Sequence, residues 1–165
     1  MAIANTKDTA TANQVAEYFI WLCNQSGSFI SNLKLQKILY YAQGWHLGLC
    51  EKKLFNDTFQ AWVHGPAIPH IYGKYKKFGY QPIPGAEKPK LNEGVEAFLK
   101  EIADVILPID AYELELATHR EPPWIIARKG LPPDAPCKNE ISENDMRDYF
   151  SAQAKEHGEN KLEKA

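Results

Sequence analysis

The chain has 165 residues, of which 19 are Lys or Arg and 21 are Asp or Glu, so its formal net charge is −2. This length and an apolar fraction of 44% predict one globular domain with its own core and exclude a disordered chain. No apolar run approaches the roughly 20 residues that cross a bilayer, and the first residues lack the pattern of a secretory signal, so we expect neither a membrane partner nor export.

The charges are unevenly distributed along the sequence. Residues 31–90 contain nine Lys and three acidic residues, a net charge of +6, whereas residues 91–165 contain nine basic and sixteen acidic residues, a net charge of −7. Opposed patches of this kind can steer the docking of a protein partner. The three cysteines, Cys23, Cys50 and Cys137, have no zinc-ligand spacing, which predicts a reduced, cytoplasmic protein.

Capping residues and helical periodicity predict a mostly α, single compact domain of about six helices. A capping box at residues 11–14 begins a helix that ends near Gly27, and Ser31 caps a longer helix through about Leu49. Gly44 and Gly48 share one face of the second helix, which favours close approach of another backbone. Residues 54–63 fit either a short strand pair or a buried helical turn, and residues 64–66 are typical of a turn.

The remaining helices are separated by proline, glycine and capping residues. We predict them near residues 67–78, 92–107, 110–119, 123–130 and 142–153, with an exposed loop at 81–89 and a fraying polar tail. The predicted organisation is a flexible N-terminus at 1–11, a helical domain at 12–150 and a charged tail at 151–165.

The five histidines prompt a test for catalysis. The sequence contains no H-E-x-x-H motif, no phosphate-binding glycine loop and no G-x-S-x-G turn. We therefore predict that the chain is not an enzyme and needs no cofactor or metal. The alternative is a histidine-dependent enzyme that assembles His64, His119 and Glu121 in the fold.

Aromatic residues exceed what a small core requires. Those near the lysines at 74–77 are better explained as core residues than as a surface for nucleic acid, since the chain is not basic overall. Aromatic side chains offer large contact area with few rotamers, so some could line a groove for a protein partner, with core filling as the alternative. The groove candidates from this pattern are Tyr40, Tyr41, Trp62, Tyr72 and Tyr75.

Three segments resemble the Panacea, or SocA-like, antitoxin domain. They are ISNLKLQKILYYAQGWHLGL at 30–49, LFNDTFQAWVHGPAIPHIYGKYKKFG at 54–79 and LELATHREPPWIIARKG at 114–130. The resemblance spans about residues 12–150, and members are often described as phage-associated. The motif residues that carry over are Leu35, Gln36, Lys37, Tyr40, Tyr41, Ala42, Gln43, Gly44, Trp45, Ala61, Trp62, His64, Gly65, Pro66, Thr118, His119, Glu121, Pro123 and Trp124.

The resemblance implies a non-enzymatic antitoxin that binds a cognate protein toxin. One branch of the family implies an alternative role, an adaptor that delivers its toxin to a ClpXP-type protease. The sequence leaves open whether the chain also forms a homo-oligomer. Combining the motifs with the aromatic pattern gives these candidate partner-binding residues: Tyr40, Tyr41, Trp45, Trp62, His64, Tyr72, Tyr75, His119 and Trp124.

Overall fold

The computed structural model describes the backbone of residues 9–164 and the side chains of residues 9–157. This part of the chain contains seven α-helices and one small antiparallel sheet, which confirms a mostly α domain. The elements are α1 (Ala12–Ser26), α2 (Asn32–Cys50), β1 (Gln60–Trp62), β2 (Gly65–Ala67), α3 (Pro69–Tyr75) with a 3₁₀ turn at Lys76–Phe78, α4 (Glu93–Ile106), α5 (Ala111–His119), α6 (Pro122–Ala127) and α7 (Glu143–Lys164).

The predicted helix starts are confirmed by their caps. The Thr11 hydroxyl accepts a hydrogen bond from the Gln14 backbone, and the Gln14 side chain accepts one from the Thr11 backbone, which completes the capping box. Side chains of Ser31, Asn92 and Asp110 cap α2, α4 and α5 in the same way. Local sequence therefore determines where these helices begin.

Residues 60–67 form a hairpin, so the strand alternative is the one that the structure shows. The turn itself lies at residues 63–64, and Gly65 and Pro66 belong to β2 instead of the predicted turn. The backbone of Ala61 also donates to the Asn139 carbonyl at 2.8 Å, so a segment from the other end of the chain flanks β1. That long-range partner has no counterpart in the local pattern.

Helix α2 is the central element of the fold. Its buried residues lie on almost every side, not on the single stripe that periodicity predicts, because α1, α4, α5 and α7 surround it. The predicted close approach at the two glycines is confirmed: a Cβ at Gly44 would lie 2.1 Å from the Phe150 ring, and one at Gly48 would lie 2.6 Å from the Phe150 carbonyl carbon. Helix α7 therefore packs directly on the α2 backbone.

The ends of the chain differ in how far the structure describes them. Helix α7 continues to Lys164, past the end near Gln153 that the polar composition predicted for it. Residues 1–8 of the predicted flexible N-terminus and the side chains of 158–165 in the predicted tail lie outside the described part. Among the helices that are described, none has the length and apolarity needed to span a membrane.

Candidate functional site

The three motif segments meet around Gly65, at the start of β2. This residue has φ = +106°, a conformation that favours glycine. A Cβ here would lie 2.6 Å from Lys37 Cε on α2 and 2.8 Å from Thr118 Oγ1 on α5. The absence of a side chain thus allows the hairpin to pack against both helices.

Lys37 is buried where these elements meet, with 1% of its surface exposed. Its ammonium group donates to the Pro66 carbonyl at 3.0 Å. Burial lowers the pKa of Lys37 to about 7, and the nearby Glu115 carboxylate opposes this shift. Lysine at this position therefore ties α2 to β2 and places a titratable amine inside the protein.

Two glutamines of α2 hold the neighbouring loops. Gln36 Oε1 accepts from the Ile68 backbone at 2.9 Å, and Gln36 Nε2 donates to Asn32 Oδ1 at 3.0 Å. Gln43 Oε1 accepts from the Leu54 backbone, and its Nε2 donates to the Phe55 carbonyl, both at 2.7 Å. These motif residues satisfy buried backbone groups, so they act as structural ties of the scaffold.

A buried carboxylate lies on the other side of α2. Glu121 accepts hydrogen bonds from the hydroxyls of Tyr40 at 3.2 Å and Tyr41 at 2.9 Å, and it is also hydrogen bonded to Tyr149. Burial raises the pKa of Glu121 to about 7, while the three hydroxyls act in the opposite direction. The hydroxyls of the adjacent Tyr40 and Tyr41 on α2 thus share one acceptor, the Glu121 carboxylate between α5 and α6.

The Glu121 pKa predicts a pH-dependent stability that Glu121→Gln removes. Between about 4.5 and about 7 the folded protein keeps a proton that the unfolded chain has lost, so Glu121 lowers the free energy of unfolding as pH rises through this window. Urea denaturation from pH 4 to pH 8 should show the variant gaining stability relative to the parent, with no further gain above the window. A pH-independent difference between the two proteins would contradict the expectation.

Trp124 of α6 contacts both a histidine ring and a guanidinium group. The rings of His119 and Trp124 stack with centroids 4.2 Å apart, and the Arg128 guanidinium lies 4.6 Å from the Trp124 ring centre. Trp124 Nε1 donates to the Trp62 carbonyl at 2.8 Å. Burial lowers the pKa of His119, so this ring favours its neutral form.

A half-open groove of about 610 Å³ lies beside Lys37. Its walls come from α2, the hairpin, α3 with its 3₁₀ turn, and the segment at 136–138. Trp62 and Tyr72 line it together, with ring centroids 5.0 Å apart in an edge-to-face arrangement. The groove is therefore a concave surface with aromatic walls.

The structure divides the candidate partner-binding residues into two groups. Tyr40, Tyr41, Tyr75 and Trp124 are buried in the core, which leaves little of their surface for a partner. The other five reach the surface at least in part, and three of them line the groove. The surface group is Trp45, Trp62, His64, Tyr72 and His119, of which Trp62, His64 and Tyr72 line the groove.

The residues of the histidine-dependent alternative have separate partners. His64 Nδ1 lies 2.7 Å from Glu115 Oε1, with 73% of the His64 side chain exposed. His119 stacks on Trp124, and Glu121 is held by tyrosines. No described hydrogen bond links the three to one another, and Glu115 lies near both histidines.

Sequence reasoning missed two buried cations, Lys37 and Arg128. Lys37 was identified only as a motif residue, and Arg128 fell within the short helix predicted at 123–130. Both instead donate to carbonyl groups of distant segments. The available signal was the position of Lys37 among apolar residues on every helical face, which is typical of a buried helix.

Comparisons with known proteins agree with the motifs. The family model for antitoxin SocA-like proteins with a Panacea domain matches residues 35–125, more than half of the chain. Antitoxin SocA of Caulobacter vibrioides (strain NA1000 / CB15N) is 49% identical over 43 residues, which are 26% of this chain and 23% of that relative. The match thus spans about a quarter of the relative's length, and no solved structure matches. On the strength of the family match, this chain belongs to the SocA-like antitoxins with a Panacea domain.

Proposed function

We propose that this chain is a cytoplasmic antitoxin that neutralises a cognate protein toxin by binding it, without catalysis. The observation that carries the proposal is the family match over residues 35–125, which contains α2, the hairpin and α5. The relative named antitoxin SocA supports the same role. The expression partner to test is the product of the neighbouring gene, which should be toxic alone and harmless when this chain is present.

We further propose that the toxin contacts the hairpin side of the groove. Most motif residues hold the scaffold together, so they leave partner choice to exposed neighbours. His64 and the outer edge of Trp62 combine exposure with the side-chain types that interfaces favour. Trp45 and His119 are the secondary candidates, since each is partly exposed.

Replacing Trp62 with alanine should weaken toxin binding by about fivefold or more, because truncated aromatic anchors typically lose over 1 kcal/mol. Trp21→Ala is the matched control, since Trp21 is another half-exposed tryptophan and lies outside the groove. Binding of the purified toxin to each variant by calorimetry gives the comparison, with folding verified by circular dichroism. Equal losses of toxin affinity for the two variants would rule out the hairpin surface as the toxin contact.

Salt should weaken the toxin complex. The basic residues of the first half and the acidic residues of the second can attract complementary patches, and added ions screen such attraction beyond about 10 Å at 0.1 M. We expect the dissociation constant to rise steadily when sodium chloride increases from low to high concentration. An unchanged dissociation constant would mean that the uneven charge distribution reflects only ordinary solvation of the surface.

Direct sequestration and proteolytic delivery differ in their need for a protease. We favour sequestration, and the test is coexpression in a host that lacks ClpXP. Rescue in that host supports sequestration, whereas toxicity that returns without the protease supports the adaptor role. Oligomeric state, measured by light scattering with and without toxin, tests the homo-oligomer.

A further inference from the structure

The groove beside Lys37 has the size of a small-molecule site. Its volume of about 610 Å³ falls within the roughly 300–1,000 Å³ of typical ligand pockets. Apolar and aromatic walls surround a few polar groups, as such pockets require. Asn32 and Gln36 are fixed by their hydrogen bonds, so the α2 wall is already formed.

The formally charged residues that line the groove have one sign. They are Lys37, Lys76 and Lys138, and no acidic residue of the described chain lines it. Elsewhere lysines find acidic partners, as in Lys74 with Glu17 and Lys53 with Glu143. The side chains of Lys76 and Lys138 have no hydrogen bond or ion pair with a described residue. At Lys76 and Lys138 the groove therefore offers positive charge that no described acidic residue pairs with, whereas Lys37 lies near Glu115.

Lys37 places an amine deep in this groove. An ammonium group has three donors, and the described contacts give this one a single acceptor, the Pro66 carbonyl. The Gly65 backbone packs closely on this side chain, since a Cβ there would lie 3.2 Å from Lys37 Nζ. An anion in the groove would favour the protonated amine through its charge, with Glu115 and His119 of α5 as the other titratable groups nearby.

We propose that this groove binds a small aromatic anion, with its carboxylate or phosphate beside the groove lysines and its ring against Trp62 and Tyr72. The two half-buried aromatic side chains offer flat apolar surface, and the lysines select the charge. Lys37 is 1% exposed, so its charge acts on the anion from beneath the groove wall, and the exposed side chains of Lys76 and Lys138 meet the anion directly. The inference goes beyond toxin neutralisation, and its test needs only this chain.

The first experiment compares probes that differ in charge. Indole-3-acetate should bind the full chain saturably with a Kd below about 1 mM, and about tenfold or more tighter than the neutral indole-3-acetamide. Phenyl phosphate in parallel distinguishes a phosphate site from a carboxylate site. Bound ligand should also slow alkylation of Cys137, which lines the groove, and leave alkylation of Cys50 outside the groove unchanged.

Matched variants locate the binding. Lys76→Glu and Lys138→Glu should each weaken indole-3-acetate binding about fivefold or more, whereas Lys90→Glu, the same charge change at an exposed lysine outside the groove, should not. Lys37→Met should also weaken binding, provided that circular dichroism shows a folded protein. If it does not fold, the Lys76→Glu and Lys138→Glu variants provide the test. Equal binding of acid and amide, equal effects at Lys90, or unprotected Cys137 would each overturn the proposal. Binding of acidic peptides alone would also overturn it, in favour of a protein ligand.

Discussion

Replacing Arg128 with alanine should lower the free energy of unfolding by about 3–5 kcal/mol. The guanidinium group is buried and donates to three carbonyls, those of Ala61 at 2.9 Å, Pro132 at 2.8 Å and Ala135 at 2.5 Å. Alanine leaves these acceptors without their donor, and each buried unsatisfied group costs about 1–3 kcal/mol. Urea denaturation followed by tryptophan fluorescence gives the measurement.

Arg120→Ala provides the control for this change. Arg120 is exposed, so its removal should alter the free energy of unfolding by less than about 0.5 kcal/mol. Arg128→Lys should fall between the two, because an ammonium cannot reach three carbonyls with the geometry of a planar guanidinium. Similar losses for Arg128→Ala and Arg120→Ala would contradict the role assigned to the buried guanidinium.

Replacing Gly48 with alanine should destabilise the protein by roughly 1–3 kcal/mol, as overpacking does. The added Cβ would lie 2.6 Å from the carbonyl carbon of Phe150, and a backbone atom cannot move aside alone. Relief requires α7 to shift away from α2, which opens contacts along the whole helix pair. Thermal unfolding by circular dichroism measures the loss.

The same substitution at Gly73 should have the opposite sign. Gly73 lies within α3, and a Cβ there meets nothing within 4 Å. Alanine should therefore stabilise the protein by up to about 1 kcal/mol through helix propensity alone. If both variants lost stability, close packing of α2 on α7 would no longer explain the Gly48 result.

The parts of the fold that the sequence predicted are those encoded locally. Thr11, Ser31, Asn92 and Asp110 cap helices through atoms only two or three residues away, so a short window contains the whole interaction. The spacing of Gly44 and Gly48 predicted a close approach for the same reason. It could not identify Phe150 as the neighbour, because that contact joins distant segments.

The candidate site was harder to predict because distant residues determine it. Tyr40 and Tyr41 were groove candidates because the aromatic residues exceed what a small core requires. Both are instead buried, and Glu121 accepts hydrogen bonds from their hydroxyls inside the core. Trp62 and Tyr72 did reach a groove, yet Lys37 at its base was hidden among residues that periodicity treats as ordinary helix.

The packing of α7 on Gly44 and Gly48 of α2 can form only late in synthesis of the chain. The Ser151 hydroxyl donates to the Gly48 carbonyl across 103 positions of sequence. At about 5–20 residues per second, a ribosome needs roughly 5–20 s to supply the second partner after the first. During that interval the α2 aromatic side chains that contact Phe150 lack this neighbour, so this part of the core can be completed only after residue 150 has been synthesised.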